Sequence, residues 1–181
     1  MVETAKHLIY AKDYDKIEID RNAPYRIHFR GVKDDVNITV KSGIRAFVSE
    51  RFCPRTPDVN INLVLEENAE VVLSAFCDVP ATSVSHKVLA KDGSSFSGYF
   101  GFLGKNLKDE WNIDLSKAST VELNAVSFCT DTDSHFHNIT TRQSQGSNKV
   151  KFNGRGVVVM QSMCKFMTKG IIDKDSKGSE C

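Results

Sequence analysis

Apolar and polar residues alternate along short stretches of this chain, and the alternation breaks at turn-like clusters. Ile17-Glu18-Ile19-Asp20 alternates, Asn22-Ala23-Pro24 interrupts, and Tyr25-Arg26-Ile27-His28-Phe29 alternates again. A period of two predicts strands with their apolar side chains on one face. Val36-Asn37-Ile38-Thr39-Val40 is the next strand, and Val59 to Leu65 is a near copy of it. Ala69 to Phe76 reads as the partner strand of that copy, and Val84, His86 and Val88 alternate within a less regular segment. Lys41-Ser42-Gly43, Glu66-Glu67-Asn68 and Lys91-Asp92-Gly93 carry turn residues. The polar run Lys105 to Glu110 predicts one short helical turn. From Trp111 to Gly156 the chain reads as strand, turn and strand, with Gly154-Arg155-Gly156 as a turn.

The pattern recurs. Asn-Ile pairs begin at Asn37, Asn60, Asn112 and Asn138, with gaps of 23, 52 and 26. A gap of 52 is twice 26, which places a missing copy near residue 86. Phenylalanines at Phe29, Phe52, Phe76, Phe102, Phe128 and Phe152 fall in step, with gaps of 23, 24, 26, 26 and 24. A unit this short cannot bury its apolar face alone, but stacked units share a core. The repeat therefore predicts a β-solenoid with two short strands per rung of 23–26 residues. A β-sandwich also shows closely spaced strands, but it does not require residue identity to recur. The solenoid predicts an aromatic column of these six rings, with Phe96 outside it, and an amide ladder of the four asparagines. Residues 36–181 supply the rungs and 1–35 an N-terminal cap within a single domain, 1–181.

Charge narrows the partners. Lys plus Arg, 24, nearly balance Asp plus Glu, 23, so there is no basic field to attract nucleic acid or an anionic membrane. No apolar run reaches the length of a membrane-spanning helix. The first twenty residues lack the apolar core of a secretory signal. A cytoplasmic location is the expectation, with the five cysteines as free thiols.

One segment is rich in candidate metal ligands. Cys129, Asp131, Asp133, His135 and His137 alternate, and residues i and i+2 of a strand share a face. His135 and His137 then offer two imidazoles, with Cys129 and Asp133 completing a zinc or iron site. The competing reading is structural. Thr130-Asp131-Thr132-Asp133-Ser134 has the composition of a turn, and Cys129 packs as a small hydrophobe. Cys53, Cys77 and Cys129 each follow a phenylalanine, so in-register rungs would stack their thiols. Trp111, the sole tryptophan, reads as a packing anchor.

Ile61 to Leu73 resembles a rung of the SufB/SufD family of iron–sulfur cluster assembly proteins, as does Lys117 to Asn124. Asp131-Thr132-Asp133-Ser134-His135 is similar to that family's acidic turn ending in histidine. Phe152-Asn153-Gly154-Arg155-Gly156 and Lys169-Gly170-Ile171-Ile172 through Glu180 resemble successive rungs. The resemblance spans roughly 59–181 and covers the core alone. The family continues into further rungs with cluster-linked Cys and His residues, then a helical region that meets its ATPase. It implies a right-handed parallel β-helix and a non-enzymatic scaffold. Its partners would be a second copy or a SufB/SufD-like sister subunit, together with a SufC-like ATPase. The cofactor it implies is an iron–sulfur cluster. A self-associating structural solenoid is the further alternative.

Overall fold

In a computed structural model, residues 7–29, 35–52, 58–77, 83–103, 106–130, 133–143, 146 and 148–173 are described. They form a parallel β-solenoid built from two seven-stranded sheets. The odd sheet holds β1 (His7–Tyr10), β3 (Pro24–His28), β5 (Arg45–Arg51), β7 (Glu70–Cys77), β9 (Ser95–Leu103), β11 (Thr120–Cys129) and β13 (Lys149–Val158). The even sheet holds β2 (Lys16–Ile19), β4 (Val36–Val40), β6 (Val59–Leu65), β8 (Ser83–Ala90), β10 (Leu107–Leu115), β12 (Ser134–Gln143) and β14 (Met163–Ile172). Each rung contributes one strand to each sheet, and every strand pairs in parallel with the strand two further along the chain. The solenoid expectation holds, and β8 supplies the missing copy near residue 86. Residues 7–29 already form strands of both sheets.

The period-two pattern explains why these sequences form these strands. In β6, Val59, Ile61, Leu63 and Leu65 point inward while Asn60 and Asn62 face out. The inward sets of the two sheets meet as one core, which includes Ile19, Ile27, Ile38, Leu73, Phe96 and Trp111. Burying each such side chain contributes roughly 1.5–3 kcal/mol.

The rungs are stitched by their turns. Glu66 N–H donates to Val40 O, Lys91 N–H to Leu65 O, and Ser116 N–H to Ala90 O, at 2.8–3.0 Å. The third residue of each turn is left-handed: Gly43 (φ 69°), Asn68 (57°), Gly93 (69°) and Ala118 (57°). The three turns read from the sequence are all present.

The aromatic column is not. Asn62 sits beside Asn37 at a separation of 25, and later rungs lengthen until Asn153 lies 29 beyond Asn124. Phe29 stacks on Phe52 with centroids 5.1 Å apart, but the next residues in that inward column are Cys77, Phe102, Ser127 and Gly156. Phe76 falls one residue out of step, beside Gly101, and Phe128 beside Leu103. A one-residue slip turns a strand side chain to the opposite face, so both rings are on the outer surface. Phe96, expected outside the column, is fully buried.

The asparagine series divides likewise. Asn62 Nδ2 donates to Asn37 Oδ1 at 3.0 Å, and Asn60 Nδ2 donates to Asp35 Oδ1 at 3.0 Å. Asn112 is in register with Asn62 through Lys87, and Asn138 with Asn60 through Glu110 and Ser85. Two further expectations change. Leu107 to Glu110 is strand, because Leu107, Asp109 and Trp111 alternate inward. Gly154-Arg155-Gly156 lies within β13, its two glycines facing the core end. A Cβ on Gly154 would lie 2.8 Å from the Phe152 ring and 3.1 Å from that of Phe166. The glycines therefore let the opposite strand approach closely. Among the described residues, no helix is long and apolar enough to cross a membrane.

Candidate functional site

In the even sheet, from β8 onward, polar side chains occupy inward positions that aliphatic residues hold earlier. One inward column of the even sheet runs Val59, Val84, Asp109, His137 and Phe166. The neighbouring column runs Val36, Ile61, His86, Trp111 and Ile139. Parallel in-register pairing thus places Asp109 next to His137 and His86 next to Trp111. The odd sheet faces them with Glu50, Ser127 and Cys129, all inward by the same alternation.

A hydrogen-bonded chain results. Trp111 Nε1–H lies 2.9 and 3.0 Å from the two carboxyl oxygens of Asp109. Asp109 Oδ2 is 3.2 Å from His137 Nδ1. His137 Nε2 is 3.2 Å from Ser127 Oγ, which is 2.5 Å from His135 Nδ1. The indole can only donate, so Asp109 accepts. With Asp109 a carboxylate, His137 donates from Nδ1 and accepts at Nε2 from the Ser127 hydroxyl. Ser127 oxygen then accepts from His135. Separately, His86 Nε2 is 3.0 Å from Glu50 Oε2. The His86 ring lies flat on the Trp111 indole, with centroids 3.7 Å apart and planes 7° apart. Among the described residues, His86 Nδ1 and Glu50 Oε1 have no hydrogen-bond partner.

The connectivity Ser127–His137–Asp109 is that of a nucleophile, its base and the base's orienting carboxylate. Its surroundings decide what it can do. Ser127 is 0% exposed, His137 1% and Asp109 3%. Phe102 and Phe166 cover the His137 ring, with centroids 4.7 and 4.6 Å away. No substrate reaches this serine in the folded state described. The network satisfies buried polar groups and fixes the packing of the later rungs.

The four sequence-predicted ligands come near one another without converging on a point. His135 and His137 share the inward face of β12, their rings edge to face with centroids 6.3 Å apart. Cys129 ends β11 in the facing sheet. Asp133 stands in the intervening turn, where its Oδ2 is 3.4 Å from Thr130 Oγ1. The two imidazoles are turned to Ser127 and Asp109. Among the described residues, no set of three His, Cys, Asp or Glu side chains is placed to hold a metal ion together. Asp131 and Cys53 lie outside the described residues. Cys77 and Cys129 do not stack, since Cys77 stands beside Phe102 and that column continues to Ser127. Burial, with Cys164 next in effect, pushes the Cys129 thiol up to about 11.

Trp111 is the packing anchor expected of it, 1% exposed. The sequence pattern alone does not mark Glu50, His86, Asp109 and Ser127 as a site. Each sits in the apolar phase of its strand: Asp109 between Leu107 and Trp111, Ser127 between Ala125 and Cys129. A polar residue in that phase is the signal a sequence carries for such a cluster. No family model, curated protein or solved structure matches the chain.

Proposed function

We propose that this chain is a scaffold that works by association with a second copy of itself. Iron–sulfur cluster assembly is the process to which the resemblance of its rungs points. The observation that carries this reading is an apolar corner on the outer face of the odd sheet. Leu103, Phe128 and Val157 stand side by side across three strands. The next outward column holds Phe76, Gly101 and Val126. Tyr99 adjoins them from β9, and all the large side chains named are exposed. The outer face of the even sheet carries Lys87, Glu110, Asn112 and Asp114 at its centre instead. Contiguous apolar surface on a soluble protein marks association sites. The internal Ser–His–Asp chain is closed to solvent, whereas this apolar corner is open to it.

Sedimentation velocity at high micromolar concentration tests the reading. The unsubstituted protein should sediment as a dimer, and Val126→Lys with Phe128→Lys should return it to monomer with its strand circular dichroism intact. A strictly monomeric unsubstituted protein overturns self-association. Anaerobic reconstitution with ferrous iron and sulfide tests the assigned process separately. Absence of sulfide-to-iron charge-transfer absorption from the dimer would remove the iron–sulfur assignment and leave a structural solenoid.

A further inference from the structure

We propose that Cys129 and Cys164 form a dithiol–disulfide pair, oxidised by hydrogen peroxide, that staples the two sheets together between the last two described rungs. Cys129 is the final residue of β11 in the odd sheet, and Cys164 is the second residue of β14 in the even sheet. Both point into the core end. Cys164 is beside His135 in register, and His135 reaches across to Ser127, two residues before Cys129. Ser127 is in turn beside Gly156. A Cβ at Gly156 would lie 2.9 Å from Cys164 Sγ, so the glycine clears the space this sulfur occupies. Ser162, two residues before Cys164, donates its hydroxyl to Cys129 O at 3.1 Å, so the chain carrying Cys164 is tied to the backbone of Cys129. Both cysteines are free thiols.

Their environments differ in the way a two-step oxidation needs. Cys164 is half-buried and within reach of a small oxidant, whereas Cys129 is 0% exposed. The Cys164 sulfur attacks the peroxide, its O–O bond breaks, a sulfenic acid forms, and one water leaves. The Cys129 sulfur then attacks that sulfenic sulfur. The S–S bond forms, the S–O bond breaks, and the departing hydroxide takes the Cys129 proton as a second water. The two thiols supply the two electrons that reduce the peroxide. Ser127 shares the inward face of β11 with Cys129 and is held by His135 and His137, so it is a positioning residue beside this sulfur. Cys129, 0% exposed, is sheltered from oxidant in solution, so it acts as the resolving partner once Cys164 carries the sulfenic acid.

The test uses the full chain, purified in reductant, exposed to equimolar hydrogen peroxide, alkylated and mapped without reduction. The expected product has lost two hydrogens and yields one linked peptide containing Cys129 and Cys164. Its melting temperature should rise and return on treatment with dithiothreitol. In Cys129→Ser, Cys164 should stop at a sulfenic acid that a cyclic dione traps. In Cys164→Ser, Cys129 should stay unmodified at the same dose. A linked peptide that joins other cysteines overturns the pair. So does progression of Cys164 to sulfinic acid in the unsubstituted chain without a link, or direct oxidation of Cys129 in Cys164→Ser. If either variant fails to give the strand spectrum, the map of the unsubstituted chain decides alone.

Discussion

Phe96 and Phe76 show how far one residue of phase matters. Phe96 points inward from β9, fully buried, and its ring packs 6.0 Å from that of Trp111. Phe76 points outward from β7 and is 54% exposed, lying over Gly101, where a Cβ would come within 2.9 Å of its ring. Removing a buried ring loses its transfer free energy and leaves a cavity. Phe96→Ala should therefore cost about 3–5 kcal/mol in denaturant unfolding. Phe76→Ala should stay near the small values of surface substitutions, about 0.5 kcal/mol. Equal losses would remove the assigned phase. At this scale the strands were legible because alternation reports which residues share a face. It does not report which phenylalanine belongs to which face once the rung length is misjudged by one. The polar core was harder still. Asp109 and Ser127 look like ordinary surface residues until their phase is compared with Leu107, Trp111 and Ala125.

The better ruler was the turn. Gly43, Asn68, Gly93 and Ala118 share one left-handed backbone position, and the N–H groups of the first three bond to the next turn: Gly43 to Glu67 O, Asn68 to Asp92 O and Gly93 to Lys117 O. Backbone geometry must recur in every rung, whereas the identity of an inward side chain need not. The spacing of these turn residues therefore follows the pairing distance of 25, while the phenylalanine and asparagine series drift from it. The candidate metal-ligand alternation does not run along a single strand. It crosses from one sheet to the other through the turn at Asp133, so Cys129 and the two histidines approach from opposite sides of the core. Ala118 follows from the turn geometry as a weak point, because a Cβ in the left-handed region costs an L-residue roughly 1–2 kcal/mol. Ala118→Gly should raise stability by about 0.5–1 kcal/mol, the gain being reduced by the greater freedom of glycine in the unfolded chain. A thermal melt checks this, and a fall in midpoint would contradict the turn assignment. Gly93→Ala should act in the opposite direction, since its Cβ would also lie 2.5 Å from Asn68 Oδ1.

Across the whole molecule the core changes character along its axis. The early and middle rungs bury Ile27, Ile38, Ile61, Leu63, Leu65 and Leu73 almost completely. The later rungs put Asp109, Ser127, His135, His137, Thr141 and Gln143 at equivalent inward positions. The last pair of strands carries inward glycines at Gly154, Gly156 and Gly170. An aliphatic side chain contributes roughly 1.5–3 kcal/mol on burial, whereas a satisfied buried hydrogen bond contributes about 1 kcal/mol net. In a solenoid, each rung is stabilised by itself and its neighbours, so this gradient should appear as unequal local stability rather than as a single cooperative value. Opening should begin at β12–β14 and proceed towards β8, bringing the Cys129–Ser127–His135 cluster into water before the aliphatic rungs yield. Native-state hydrogen exchange measures this directly. The amides of Ile139 and Thr141 should exchange through openings of lower free energy and smaller denaturant dependence than those of Ile38, Leu63 and Leu73. Oxidation that links Cys129 to Cys164 should slow exchange in β11 and β14 while leaving β4 and β6 unchanged. Exchange of all these amides through one common global opening would show that the polar network binds the later rungs as firmly as the aliphatic core binds the earlier ones.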